Sequence, residues 1–124
     1  MGTPDGGRIL PTLLWRRIAR KRRVDGDEMI RHAAIFKLIH AAGSPQEASF
    51  LAALAKLSAI PGVGNFEIAR EISPKNAFDF AVSMIFADAA AYEAYNTHPA
   101  HVAFVQSRWI PEVATFMEHD TKAL

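Results

Sequence analysis

From residue 29 onward, apolar positions recur with two periods that mark strands and helices in turn. In Ile30–Leu38, IRHAAIFKL, the even positions Ile30, His32, Ala34, Phe36 and Leu38 are mostly apolar, and so are the odd positions Ala33 and Ile35. This predicts a strand covered on both faces. Ser44, Pro45 and Glu47 then form an N-cap, a first-turn proline and a capping-box acid, and Phe50, Leu51, Leu54 and Leu57 follow at helical spacing. Pro61 to Gly64, PGVG, ends that helix. The stretch NFEIAREI alternates, with Phe66, Ile68 and Ile72 expected on one face and Glu67 and Glu71 on the other. After the turn SPKN, a second alternating run places Phe78, Phe80, Val82, Met84 and Phe86 on one face and Asp79, Ala81, Ser83 and Ile85 on the other.

Asp88 is placed to cap a short helix that carries Tyr92 and Tyr95 on neighbouring turns. A further helix starts at HPAH, with Pro99 tolerated in its first turn, and Pro111 should kink or end it. ATFMEHD reads as the last strand. The order β-α-β-β-α-α-β predicts an α+β, ferredoxin-like fold with a four-stranded antiparallel sheet and a split second helix. Helices would cover one sheet face only. The other would present Ala33, Ile35, Ala81, Ser83 and Ile85, a flat surface suited to packing on a second copy.

Composition narrows the possible functions. The chain has 124 residues, enough for one domain, and no cysteine, which excludes disulfides, thiolate metal sites and a cysteine nucleophile. That suits a reducing, cytoplasmic setting. No apolar run reaches the ~20 residues of a membrane span. Residues 1–28 hold seven Lys/Arg and four Asp/Glu, net +3, whereas residues 29–124 hold seven and nine, net −2. The expected folded part, 29–124, is therefore mildly acidic and has no basic footprint for nucleic acid. Residues 1–28 are expected to be a basic N-terminal extension outside the fold; a membrane- or nucleic-acid-binding arm and a transit peptide are the alternatives.

Candidate chemistry gathers in YNTHPAHVAF, Tyr95–Phe104. His101 falls in the first turn of its helix, where the positive end of the dipole favours the neutral imidazole. A neutral imidazole beside the Tyr95 phenol could take a proton from a carbon next to a carbonyl while the phenol hydrogen-bonds the forming enolate. The alternative is that His101 bonds a backbone carbonyl and Tyr95 is a core residue with a satisfied hydroxyl. His98 reads as a helix cap. His98 and His101 share a face as metal ligands can, but no carboxylate at suitable spacing joins them, so no metal is expected.

IRHAAIFKL, IPGV and YNTHPAHVAFV, with the aspartate that ends the last strand, resemble the stress-responsive A/B barrel (Dabb) family from Met29 to Asp120. The resemblance implies a dimeric α/β barrel with a cavity between sheet and helices. Its best understood branch looks like the olivetolic acid cyclase-type polyketide cyclases, which need no cofactor. Carried over by motif, the resemblance implies His101 and Tyr95 as catalytic residues, with His32 and Phe50 lining the substrate cavity. The pattern departs from that branch at Ala53 and Thr121, where tyrosines are expected. The implied function is a cofactor-free cyclase or lyase acting by proton transfer on a polyketide-like or β-keto substrate, with a homodimer through the open sheet face and a small apolar or phenolic ligand. The alternative is a non-catalytic, stress-associated ligand-binding or dimeric structural protein.

Overall fold

A computed structural model describes residues 28–124; the proposed basic extension lies, but for Glu28, outside them. Four antiparallel strands form one sheet: β1 (Ile30–Leu38), β2 (Gly64–Arg70), β3 (Phe80–Phe86) and β4 (Val113–Thr121), in the order β2-β3-β1-β4. Three helices, α1 (Pro45–Ala55), α2 (Ala89–Asn96) and α3 (Pro99–Phe104), pack on one face. This is the ferredoxin-like arrangement that the periodicity predicts.

Local chemistry sets the helix ends. The Ser44 side chain accepts a hydrogen bond from the Glu47 N–H at 3.2 Å, while the Glu47 carboxylate reaches back to the Gly43 N–H at 3.1 Å. The Asp88 carboxylate accepts from the Ala91 N–H at 2.8 Å. After α1, a tight turn over Lys56–Ala59 and Gly62, at φ +91, return the chain to the sheet. Past α3, the helix widens over Val105–Trp109, where the Ile110 N–H bonds the Val105 carbonyl. The proline two residues on explains the widening: Pro111 has no N–H to offer Ser107 and its ring crowds that carbonyl. The helix stops at Glu112 and β4 begins.

The core follows from strand alternation. Phe36 faces Phe80 and Ala34 faces Val82 across β1 and β3, and these residues pack with Phe50, Leu54, Leu57, Ile60, Tyr95 and Phe104 from the helix layer. Ala33 pairs with Ser83 and Ile35 with Ala81 on the opposite face, as the pattern predicts. Met117 of β4, opposite Ile35, joins that face and is 54% exposed.

The strand expectation around NFEIAREI needs correction. β2 ends at Arg70, and Ile72 is 86% exposed instead of lying on the core face with Phe66 and Ile68. The last pairing is the Glu71 N–H to the Asp79 carbonyl at 2.9 Å. Beyond it, Asn76 donates to the Glu71 carboxylate at 2.6 Å and accepts from the Phe78 N–H at 2.9 Å, which closes the turn. β3 accordingly begins at Phe80, two residues after the Phe78 that opens the alternating run.

A polar clasp fixes the wall of helices. Glu112 bonds His40 at 2.7 Å and also Arg108, whose guanidinium reaches Ser49 of α1 at 3.1 Å. The Arg108 hydrogen bonds hold the Glu112 carboxyl below the usual carboxylate range. The clasp ties the end of β1 to α1 and to the widened turn that carries Trp109.

Candidate functional site

A cavity of about 540 Å³ opens between sheet and helices. Leu54, Val82, Met84, Phe104, Trp109 and Phe116 make most of it apolar, while His32, Tyr92, Tyr95, Asn96, His101 and Glu118 supply its polar groups. Among the described residues no lysine or arginine lines it. Three of the four residues singled out from sequence, His32, Tyr95 and His101, meet here.

Tyr95 is 2% exposed, and its ring centre lies 4.3 Å from that of His101. Burial, and then the Glu118 charge, push its phenol well above the usual range, so it stays protonated and able to donate. Among the described residues, no protein group hydrogen-bonds the Tyr95 hydroxyl. The sequence alternative of a satisfied core tyrosine therefore holds for its ring and fails for its hydroxyl.

His101 does bond a backbone carbonyl, Asn96 O, at 3.1 Å. A carbonyl only accepts, so Nδ1 carries the hydrogen and Nε2 keeps its lone pair. Burial lowers the His101 pKa; the Asn96 bond opposes this and the nearby His32 reinforces it. The bland contact and the functional one are thus compatible, because orienting one ring nitrogen leaves the other basic. The capping role falls to His98, whose Nδ1 accepts from the Ala100 N–H at 3.1 Å.

His32 sits on β1 opposite Asp120 of β4. Its Nδ1 lies 2.7 Å from Asp120 Oδ1 and 3.0 Å from the Tyr92 hydroxyl, which donates to Asp120 Oδ2 at 2.8 Å. Tyr92 stacks on Phe86 at 5.0 Å, and its phenol is raised by burial and then by Asp120. Sequence reasoning assigned no site role to Tyr92, Glu118 or Asp120. The spacing of Tyr92 from Tyr95 put both on one helix face, but only the β1–β4 register brings Asp120 to His32.

Phe50 is placed differently from the expectation. It is fully buried one layer behind the cavity, with ring centres 5.5 Å from Phe104 and 6.2 Å from Trp109, which do line it. Its position on α1 points it into the core between Phe36 and the wall. Among the described residues no three His, Asp or Glu side chains converge as metal ligands would.

Known proteins share this fold. A Dabb family protein with a ferredoxin-like fold from Mesorhizobium loti is 54% identical, with a TM-score of 0.77 over 78% of this chain and 98% of that one. A dimeric ferredoxin-like protein of unknown function from Thermobifida fusca is 27% identical, with a TM-score of 0.64 over 77% and 92%. The hydroxynitrile lyase from Passiflora edulis, at 15% identity and a TM-score of 0.70 over 79% and 95%, shares the fold. No curated protein matches the sequence. The profile of the stress responsive A/B barrel domain matches residues 30–123, nearly all that the structure describes, and the chain belongs to the Dabb family.

Proposed function

We propose that the cavity binds a small, neutral, largely apolar ligand of β-keto or phenolic type and moves a proton on it without a cofactor. The observation that carries this reading is the Tyr95 hydroxyl, buried without a protein partner among the described residues beside an imidazole held in its Nε2-basic form. His101 Nε2 removes a proton from a carbon next to a carbonyl. The electron pair moves to the carbonyl oxygen, and Tyr95 donates a hydrogen bond to the enolate that forms. Ring closure of a polyketide-like chain, or cleavage of a carbon–carbon bond next to a carbonyl, needs that pair of roles. Glu118, in a lining that holds no lysine or arginine among the described residues, disfavours anionic ligands.

The test is a histidine NMR titration with and without a panel of β-keto and phenolic ligands. The His101 midpoint is expected below the ordinary value of 6.5, and to move when ligand binds. In the folded state the neutral form is favoured, so any activity should rise with pH through that midpoint. An ordinary midpoint and no ligand response would leave HPAH as a helix start and the protein as a scaffold.

The reading includes a cytoplasmic homodimer through the open sheet face. It is supported by the flat row Ala33, Ile35, Ala81 and Ser83, by exposed Met117, and by the relative described as dimeric. Ile35→Glu would set a carboxylate, and its symmetry mate, into that largely apolar contact. Analytical ultracentrifugation should then show monomers where the wild type shows dimers. A dimer that survives the change sinks the interface.

A further inference from the structure

We propose that His32 is a second catalytic base of the same cavity, and that Asp120 and Tyr92 position it; the proposal rests on the proton-transfer reading above. The argument starts from the three contacts at the end of β1. Asp120 as a carboxylate accepts only, so the hydrogen between it and His32 belongs to Nδ1, at 2.7 Å from Oδ1. The Tyr92 hydroxyl gives its own hydrogen to Oδ2 at 2.8 Å, and its oxygen, 3.0 Å from Nδ1, shares the imidazole hydrogen. Both donor hydrogens of the cluster then have an acceptor, with one consistent tautomer. That tautomer leaves Nε2 with its lone pair, and no protein group among the described residues bonds it.

His32 is 9% exposed and lines the cavity. Its ring centre is 6.3 Å from that of Tyr95, which is in turn 4.3 Å from His101. A carbonyl oxygen held by Tyr95 therefore has two imidazoles within reach of its neighbouring carbons, both held with Nε2 unprotonated. His32 Nε2 takes a proton from one of those carbons and becomes imidazolium against the Asp120 carboxylate. The carbon–hydrogen electron pair moves into the enolate, whose oxygen Tyr95 holds, and the proton returns to carbon or passes to water. The substrate class this favours is a neutral ketone enolisable on both sides of its carbonyl.

The probe is 2-tetralone in D₂O, an apolar ketone with C–H bonds at C1 and C3 on either side of the carbonyl, followed by proton NMR. Wild type should exchange faster than buffer. His101→Asn should retain part of that rate, and adding His32→Asn should bring it to the buffer rate. In the His101→Asn background, Asp120→Asn should cut the remaining exchange at least about tenfold, because an amide can also donate to Nδ1 and release the tautomer. ¹⁵N NMR should show His32 with Nδ1 protonated in wild type and a mixed tautomer in Asp120→Asn, a signature that loss of packing would not give. If His101→Asn alone falls to the buffer rate, or His32 Nδ1 is bare in wild type, the second base is overturned while the first stands. If wild type itself does not exceed buffer, both readings fail.

Discussion

Replacing Phe50 with alanine is expected to lower the unfolding free energy by about 4 kcal/mol, a large part of the roughly 5–15 kcal/mol that holds a domain of this size. Phe50 has no exposed surface, and its ring meets those of Phe36 at 5.9 Å, Phe104 at 5.5 Å and Trp109 at 6.2 Å. Truncation removes the transfer free energy of the ring and leaves a void that three aromatic neighbours, fixed by the sheet and by α3 with its widened turn, cannot all close. Two of those neighbours are cavity wall, so ligand affinity should fall with stability. Phe50→Leu separates the two effects. It refills most of the volume, so most of the stability should return, and affinity should return with it if Phe50 only supports the wall. Urea unfolding and ligand titration of both variants decide the matter. A Phe50→Leu protein that is stable yet blind to ligand would mean that Phe50 touches the ligand directly, as the family resemblance implies.

How much of this was legible in the sequence depends on the range of the interaction. The Ser44 and Asp88 caps, the alternation of β1 and the break around Pro111 are decided within a few residues, and the structure shows each close to where the pattern put it. The open face was legible for the same reason, since Ala33, Ile35, Ala81 and Ser83 need only the pleat to share a side. The end of β2 was not. Ile72 continues the alternation in sequence, but the side-chain bonds of Asn76 to Glu71 and to the Phe78 N–H turn the chain away before it can pair. In the site, Tyr95 and His101 lie within one short stretch across the α2–α3 break, and their pairing was what the family resemblance implied. The His32–Asp120 contact joins residues 88 apart, and only the antiparallel register of β1 and β4 creates it. Phe50 lies one layer behind the cavity wall that the family resemblance implied for it; helical periodicity gives the inward face of α1 without saying whether inward means core or cavity.

Tyr95→Phe is the change that best separates function from packing, and it is expected to lower catalysed proton exchange by about 10²–10³-fold while leaving stability nearly unchanged. The ring of Tyr95 is buried among Phe86, His101 and His32, and phenylalanine keeps every one of those contacts. Only the hydroxyl is lost. A buried hydroxyl bonded to protein contributes about 1 kcal/mol, and removing it leaves its partner unsatisfied at a further cost. The Tyr95 hydroxyl has no such partner among the described residues, so its removal relieves a desolvated polar group and should be neutral or slightly stabilising. In the proposed reaction the balance reverses, because the same hydroxyl would be the donor next to the carbonyl oxygen on which the enolate charge builds. Deuterium uptake by 2-tetralone and urea unfolding, measured on the same preparation, give the two numbers. A clear loss of stability with exchange unchanged would return Tyr95 to the core and remove the oxygen-holding group from the mechanism. Lost exchange at constant stability, with His101 still titrating below 6.5, would fix the phenol as the group that holds the developing charge.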